Sequence, residues 1–147
     1  MYPVMIDIKK FSVLVIGGGR IATRKTKGLV QAGAVPTIIA PDFTAEIKAL
    51  AEDKRVSLKQ RIFRKGDTKD FQFVFICTDD ARVNQQIVAE TTPSQLVNDT
   101  TQQSRSNFFN MAVIRDAAFE VAVSTLGKSP AQAKQLKEKL SSFLKQL

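Results

Sequence analysis

Three consecutive glycines, Gly17-Gly18-Gly19, follow directly on the apolar run Ser12-Val13-Leu14-Val15-Ile16 and lead into Arg20-Ile21-Ala22. A β-rich run that stops on glycines and resumes with a helical pattern sets the first step of an α/β chain. Ile21, Ala22, Leu29 and Ala32 recur at near-helical spacing, the pattern stops at Gly33, and Val35 to Ala40 reads as a second strand. In that order of elements the G-x-G-x-x-A spacing has a physical meaning. Gly17 permits a tight turn, Gly19 keeps a Cβ out of the way of an approaching pyrophosphate, and Ala22 lets helix pack closely on strand. The free N–H groups of the helix start would face the phosphates, as at a dinucleotide-binding turn. An ordinary glycine-rich turn is the alternative, and the strand, turn, helix, strand order weighs against it.

The α/β alternation continues. Ala45 to Asp53 reads as a short helix, Val56 to Ile62 alternates like a strand near a sheet edge, and Phe71 to Cys77 is a near-continuous apolar run suited to a buried parallel strand. That run ends in Thr78-Asp79-Asp80, where open parallel sheets bind ligands. Ala81 to Thr91 reads as a helix capped by Asp79 or Asp80, and Leu96 to Asp99 as a fifth strand. A polar loop, Thr100 to Asn107, separates this part from a tail. The tail carries strand candidates Met111 to Ile114 and Phe119 to Ser124, joined by a turn at Arg115 to Ala118, and then a helix with Ser129 as N-cap and Pro130 at its first position. Ala133, Leu136, Leu140, Phe143 and Leu147 make one apolar stripe on that helix, for packing on the chain's own sheet or for a subunit interface. The start, Met1 to Lys10, reads as a first strand or strand-like lead-in.

The 147 residues suit one domain plus a short appendage. No run approaches the roughly 18 apolar residues of a membrane span, and the N-terminus lacks the basic region and cleavage site of a signal peptide. With Cys77 as the one cysteine, a reducing, cytoplasmic setting is expected. The absence of histidine removes the commonest general base and metal ligand together. Zinc catalysis and Ser-His or Cys-His hydrolysis are therefore disfavoured, leaving cofactor or carboxylate chemistry. Oxygen ligands such as Asp79, Asp80, Asp99 and Asp116 do not identify a metal site. The formal net charge of +8 favours an anionic partner or is simply a solvated surface. Nucleic acid is the weakest candidate, since there is one tyrosine, no tryptophan and no stacking-plus-basic motif.

Several blocks in one order, Tyr2 to Ile8, Val13 to Gly19, Arg24-Lys25, Ala32-Gly33-Ala34, Ala40-Pro41, Thr78-Asp79-Asp80 with Asn84, Val97-Asn98, Val121 to Ser124, Gly127 to Pro130 and Leu136 to Leu140, cover nearly the whole chain. Together they resemble the precorrin-2 dehydrogenase / sirohydrochlorin ferrochelatase family, the N-terminal, NAD-binding part of sirohaem synthase. The resemblance implies an α/β fold, a Rossmann-type parallel sheet over residues 1–106, with a C-terminal strand hairpin and helix over 107–147 used for homodimerisation. It implies NAD-dependent dehydrogenation of precorrin-2 to sirohydrochlorin, some members also inserting ferrous iron. On that resemblance Gly17, Gly18, Gly19, Arg20, Ile21, Pro41, Asp42, Thr78 and Asp79 contact NAD. Arg20, Arg105, Arg115, Lys128 and Ser129 are the candidates to meet the carboxylate-fringed tetrapyrrole. Ala40 closes the second strand where many NAD folds carry an acid, and Asp42 is the substitute; NAD versus NADP stays open.

Three departures from the family pattern bear on catalysis. Thr101 stands where the family's catalytic aspartate falls, which makes Asp99, two residues earlier, the candidate base. Arg115-Asp116 reverses the family's usual Asp-Arg, and the chain stops after one basic helix where family members continue into a helical domain. The alternative is a catalytically divergent protein that binds NAD or a tetrapyrrole without dehydrogenating it.

Overall fold

The computed structural model describes residues 1–145. Its chain divides into two compact units: one is Val4–Phe108, the other Met1–Pro3 with the chain from Phe109 onward.

In the first unit, strands β1 (Val13–Ile16), β2 (Thr37–Ala40), β3 (Ser57–Gln60), β4 (Phe73–Ile76) and β5 (Leu96–Asp99) form one sheet in the order β3-β2-β1-β4-β5. Every pair in it is parallel. Helices α1 (Arg20–Gln31), α2 (Ala45–Glu52) and α3 (Ala81–Glu90) provide crossovers. Strand alternation sorts the core into two layers. Val13, Val15, Ile38, Phe73 and Phe75 pack with Ala22, Leu29 and Val30 of α1 and Ile47 of α2. Leu14, Ile16, Ile39, Val74 and Ile76 pack with Ile87 of α3. Both faces are covered, hence the unbroken Val-Leu-Val-Ile and Phe-Val-Phe-Ile runs.

The strands are shorter than the sequence pattern implies. β2 starts at Thr37 rather than Val35, and β3 covers Ser57–Gln60 rather than Val56 to Ile62. Cys77 lies one residue past β4, its N–H still donating to Ile16 O (2.7 Å). The N-terminal segment is a correction. Met1 to Asp7 is not a strand, and only a 3-10 turn at Ile8–Lys10 forms there. Ile8 alone is buried while Met1, Tyr2 and Met5 are exposed, so the apolar character of this stretch reflects no strand pairing. Asp80, not Asp79, caps α3, its carboxylate accepting from Arg82 and Val83 N–H. The polar loop after β5 includes a 3-10 turn at Gln103–Arg105.

In the second unit, β6 (Ala112–Arg115) and β7 (Glu120–Val123) form an antiparallel hairpin, and α4 spans Pro130–Leu144. Ser129 caps α4 by accepting from Gln132 N–H, with Pro130 at the first helical position. Ala133, Leu136, Leu140 and Phe143 share the expected stripe; Leu147 lies outside the described residues. No residue of α4 is buried.

Candidate cofactor cleft and its neighbourhood

Strand order reverses at β1, with β2 on one side and β4 on the other, so a crevice opens at the carboxyl ends of β1 and β4. A cleft of about 510 Å³ occupies it. Gly17 has φ +121°, and a Cβ there would lie 2.5 Å from the Cys77 carbonyl oxygen. A Cβ on Gly18 would lie 1.9 Å from the Asp42 carbonyl oxygen, so the turn sits directly on the chain leaving β2. Thr44 N–H donates to Gly18 O (3.1 Å) across the same contact. Gly19 differs: nothing stands within 4 Å of its Cβ position. As N-cap of α1 it brings no capping side chain, leaving first-turn N–H groups for an anion. Ala22 is fully buried beneath the turn. An open face at Gly19, an uncapped helix start and tight backbone contacts behind them fit a bound pyrophosphate.

The nine residues singled out from sequence for the cofactor, Gly17 to Ile21, Pro41, Asp42, Thr78 and Asp79, all line this cleft. Asp42 is well exposed past the end of β2. Its carboxylate accepts from Phe43 N–H (2.8 Å) and lies 3.4 Å from Lys48 Nζ, and these two contacts hold its pKa below the usual carboxylate value. Sequence reasoning missed Ile62, Phe63 and Val83, which add apolar wall. Ile62 continued the alternation of β3 past its last paired residue, which disguised a cleft residue as a strand end.

Asp99 is placed otherwise than a freely accessible base. Its side chain is fully buried. Oδ1 accepts from Thr101 N–H (2.8 Å), Thr101 Oγ1 (2.7 Å) and Gln102 N–H (3.2 Å). Oδ2 is buried with no hydrogen-bond partner, 3.7 Å from Arg105 Nη1. Arg105 thus belongs to the Asp99 neighbourhood in the first unit. In the second unit Arg115 is committed to Glu120 across the hairpin (2.8 Å), Ser129 caps α4, and Lys128 lies in the turn before it. Beside the cleft, burial pushes the Cys77 thiol up to about 11, and burial lowers the pKa of Lys25, whose ammonium lies 5.8 Å from the Phe75 ring centre.

A larger cleft, about 710 Å³, lies at the opposite end of the strands. Its polar groups bind one another. Glu90 accepts from Gly66 N–H, Thr68 N–H and Thr68 Oγ1, and Gln95 Nε2 donates to Thr68 O and Phe71 O. This network pins the connection between β3 and β4, which lacks a helix. Among the described residues no three His, Cys, Asp or Glu side chains cluster to hold a metal ion, and no helix is long and apolar enough to cross a membrane.

The family described as putative NAD(P)-binding matches residues 4–112. Precorrin-2 dehydrogenase of Bacillus subtilis (strain 168) is 34% identical, over 98% of this chain and 89% of that protein. The precorrin-2 dehydrogenase of Priestia megaterium is 38% identical, over 97% of this chain and 70% of its own. The chain belongs to the precorrin-2 dehydrogenase family. A solved structure titled SirC, precorrin-2 dehydrogenase, superposes with a TM-score of 0.87 at 38% identity, covering 97% of this chain and 70% of that one. A siroheme synthase of Mannheimia succiniciproducens is 37% identical over 99% of this chain but only 31% of its own length. The family relationship therefore extends over the α/β unit, the hairpin and α4 together.

Proposed function

We propose that this chain catalyses NAD-dependent dehydrogenation of precorrin-2 to sirohydrochlorin. The observation that carries the reading is the crevice at the reversal of strand order, floored by the glycine turn, in a chain of this family. When bound, NAD supplies the acceptor for the hydride that leaves the macrocycle. The chain's own residues do the rest. First-turn N–H groups of α1 and the open face at Gly19 hold the pyrophosphate. Asp42, an exposed acceptor beyond β2, is placed for a ribose hydroxyl. Thr78 and Asp79, beyond β4, flank the nicotinamide end. Arg20, Arg105, Arg115, Lys128 and Ser129 are proposed to receive the substrate's carboxylates, in keeping with the +8 charge. Asp99 is proposed as the proton acceptor.

The α/β unit over 1–106 is assigned to NAD binding and 107–147 to homodimerisation, supported by the half-exposed stripe Leu136, Leu140 and Phe143. We place the protein in the cytoplasm, in line with its use of a single cysteine. Anaerobic incubation with precorrin-2 and NAD tests the activity: NADH absorbance and the sirohydrochlorin spectrum are expected to rise together. NAD binding without either signal would overturn the dehydrogenase reading in favour of a binding protein, a reading that the burial of Asp99 favours.

A further inference from the structure

A fully buried carboxylate cannot touch a macrocycle, yet Asp99 is the acid that the end of β5 offers. The residue beside it can. Thr101 is exposed, and its hydroxyl is fixed from two sides. It donates to Asp99 Oδ1 at 2.7 Å and accepts from Asn84 Nδ2 at 3.3 Å. Thr101 N–H also bonds Oδ1, at 2.8 Å, so backbone and side chain both hold this residue against the carboxylate. A hydroxyl oxygen with one donated and one accepted bond keeps one further acceptor site.

Asn84 gives this arrangement its position. It is 1% exposed on α3, and the same Nδ2 donates to Thr78 O (3.0 Å), on the wall of the cofactor cleft. One buried amide thus ties the cleft wall to the Thr101 hydroxyl. The charged and titratable groups around Asp99 are Arg105, 3.7 Å from Oδ2, and the Cys77 thiol beyond β4. Oδ2 receives no hydrogen bond, so the carboxylate is less fully satisfied than its three donors on Oδ1 suggest.

We infer that the Thr101 hydroxyl is the group that meets the substrate and takes its proton, relaying it to Asp99, with Asn84 as the positioning residue; this rests on the dehydrogenase reading. The balance is simple. Precorrin-2 loses two electrons and one hydrogen as hydride to NAD. A second hydrogen leaves as a proton, its bonding pair staying in the macrocycle as a new double bond. That proton bonds to Thr101 Oγ1 as the existing Thr101 O–H bond breaks and its proton moves to Asp99 Oδ1. Reversal of the relay to water after product release restores the carboxylate. Asp99 acts through Thr101 and never contacts the substrate.

The test compares the full chain with Thr101→Val, Thr101→Ser and Asn84→Asp, measuring kcat, KM, NAD affinity by fluorescence titration and sirohydrochlorin affinity by absorbance. Thr101→Val keeps the shape and loses the hydroxyl, so kcat should fall about 100-fold or more, the scale of a lost proton-transfer group, with both affinities kept. Thr101→Ser should recover most of the rate. Asn84→Asp, which cannot donate when ionised, should lower kcat with KM little changed. The wild-type proton inventory in mixed light and heavy water should be bowed, as two protons move together. Should Thr101→Val lower the melting temperature markedly, Thr101→Ala replaces it with the same expectation. Wild-type kcat in the variant lacking the hydroxyl, failure of serine to recover the rate, or a linear inventory would each overturn the relay while leaving the dehydrogenase reading intact. An inert wild type that binds NAD would overturn that reading, and the relay with it.

Discussion

Val4–Phe108 and the chain from Phe109 onward are built on opposite terms. The first buries both faces of a five-stranded sheet, with Leu14, Val15, Ile38 and Ile76 wholly out of water. The second has a hairpin and a 15-residue helix without one buried residue among those described. Its order comes from local devices: a capping serine, a proline at the helix start, and a cross-strand Arg115–Glu120 pair. Exposed ion pairs and caps contribute on the order of 1 kcal/mol each, whereas burying one large aliphatic side chain contributes about 2–3 kcal/mol. The α/β unit thus holds its shape by its own core, and the second unit has apolar surface left to give to another surface.

Substitutions separate the two regions. Leu14→Ala should cost about 3 kcal/mol in urea unfolding, since the site is enclosed on all sides; a cost near zero would remove the contrast altogether. Gly18→Ala should cost about 1–3 kcal/mol and abolish NAD binding, because its Cβ meets backbone at 1.9 Å. Gly19→Ala sharpens the point: melting temperature should hold while NAD affinity drops, because the added methyl enters the open face of the cleft. Cys77 gives a pH signature of the same enclosed region. Folding holds its thiol protonated, so that contribution is complete below its ordinary value of 9.0 and fades as pH rises toward about 11. Wild type should therefore lose stability over that interval relative to Cys77→Ser. The smallest effect is expected at Leu136, 45% exposed. Leu136→Ala should change the unfolding energy of the monomer by under about 1 kcal/mol yet lower the apparent mass in dilution-series ultracentrifugation. An unchanged mass would end the homodimer proposal for that stripe.

The contrast also explains what the sequence revealed. Periodicity reports burial on a regular element, so β1, β4 and α3 were legible, and Leu96 to Asp99 was bounded as found. The glycine turn was legible because its backbone demands leave few other residues possible, although the close approach of Gly18 to Asp42 joins segments distant in sequence. Met1 to Asp7 misled because apolar composition without a partner strand carries no register. The Asp99 neighbourhood was half legible. Residue types marked an acid near the end of β5, but which of Asp99 and Thr101 faces inward depends on how the chain turns after the strand. The Glu90 and Gln95 bonds that replace a helix between β3 and β4 left no periodic trace.

The outer margin of β5 has a consequence for how this molecule behaves in a crowded solution. Asn107 accepts Val97 N–H on its side-chain oxygen, returns its own N–H to Val97 O, and donates its amide to Gln95 O, while the Ser106 hydroxyl accepts Asp99 N–H. Two side chains thereby occupy the bonding groups that a foreign strand would need. At the other margin β3 is four residues long, with an exposed lysine, Lys59, in it. Finished this way, the five-stranded sheet is a poor template for further strands, and its margins are guarded against open-ended edge-to-edge growth.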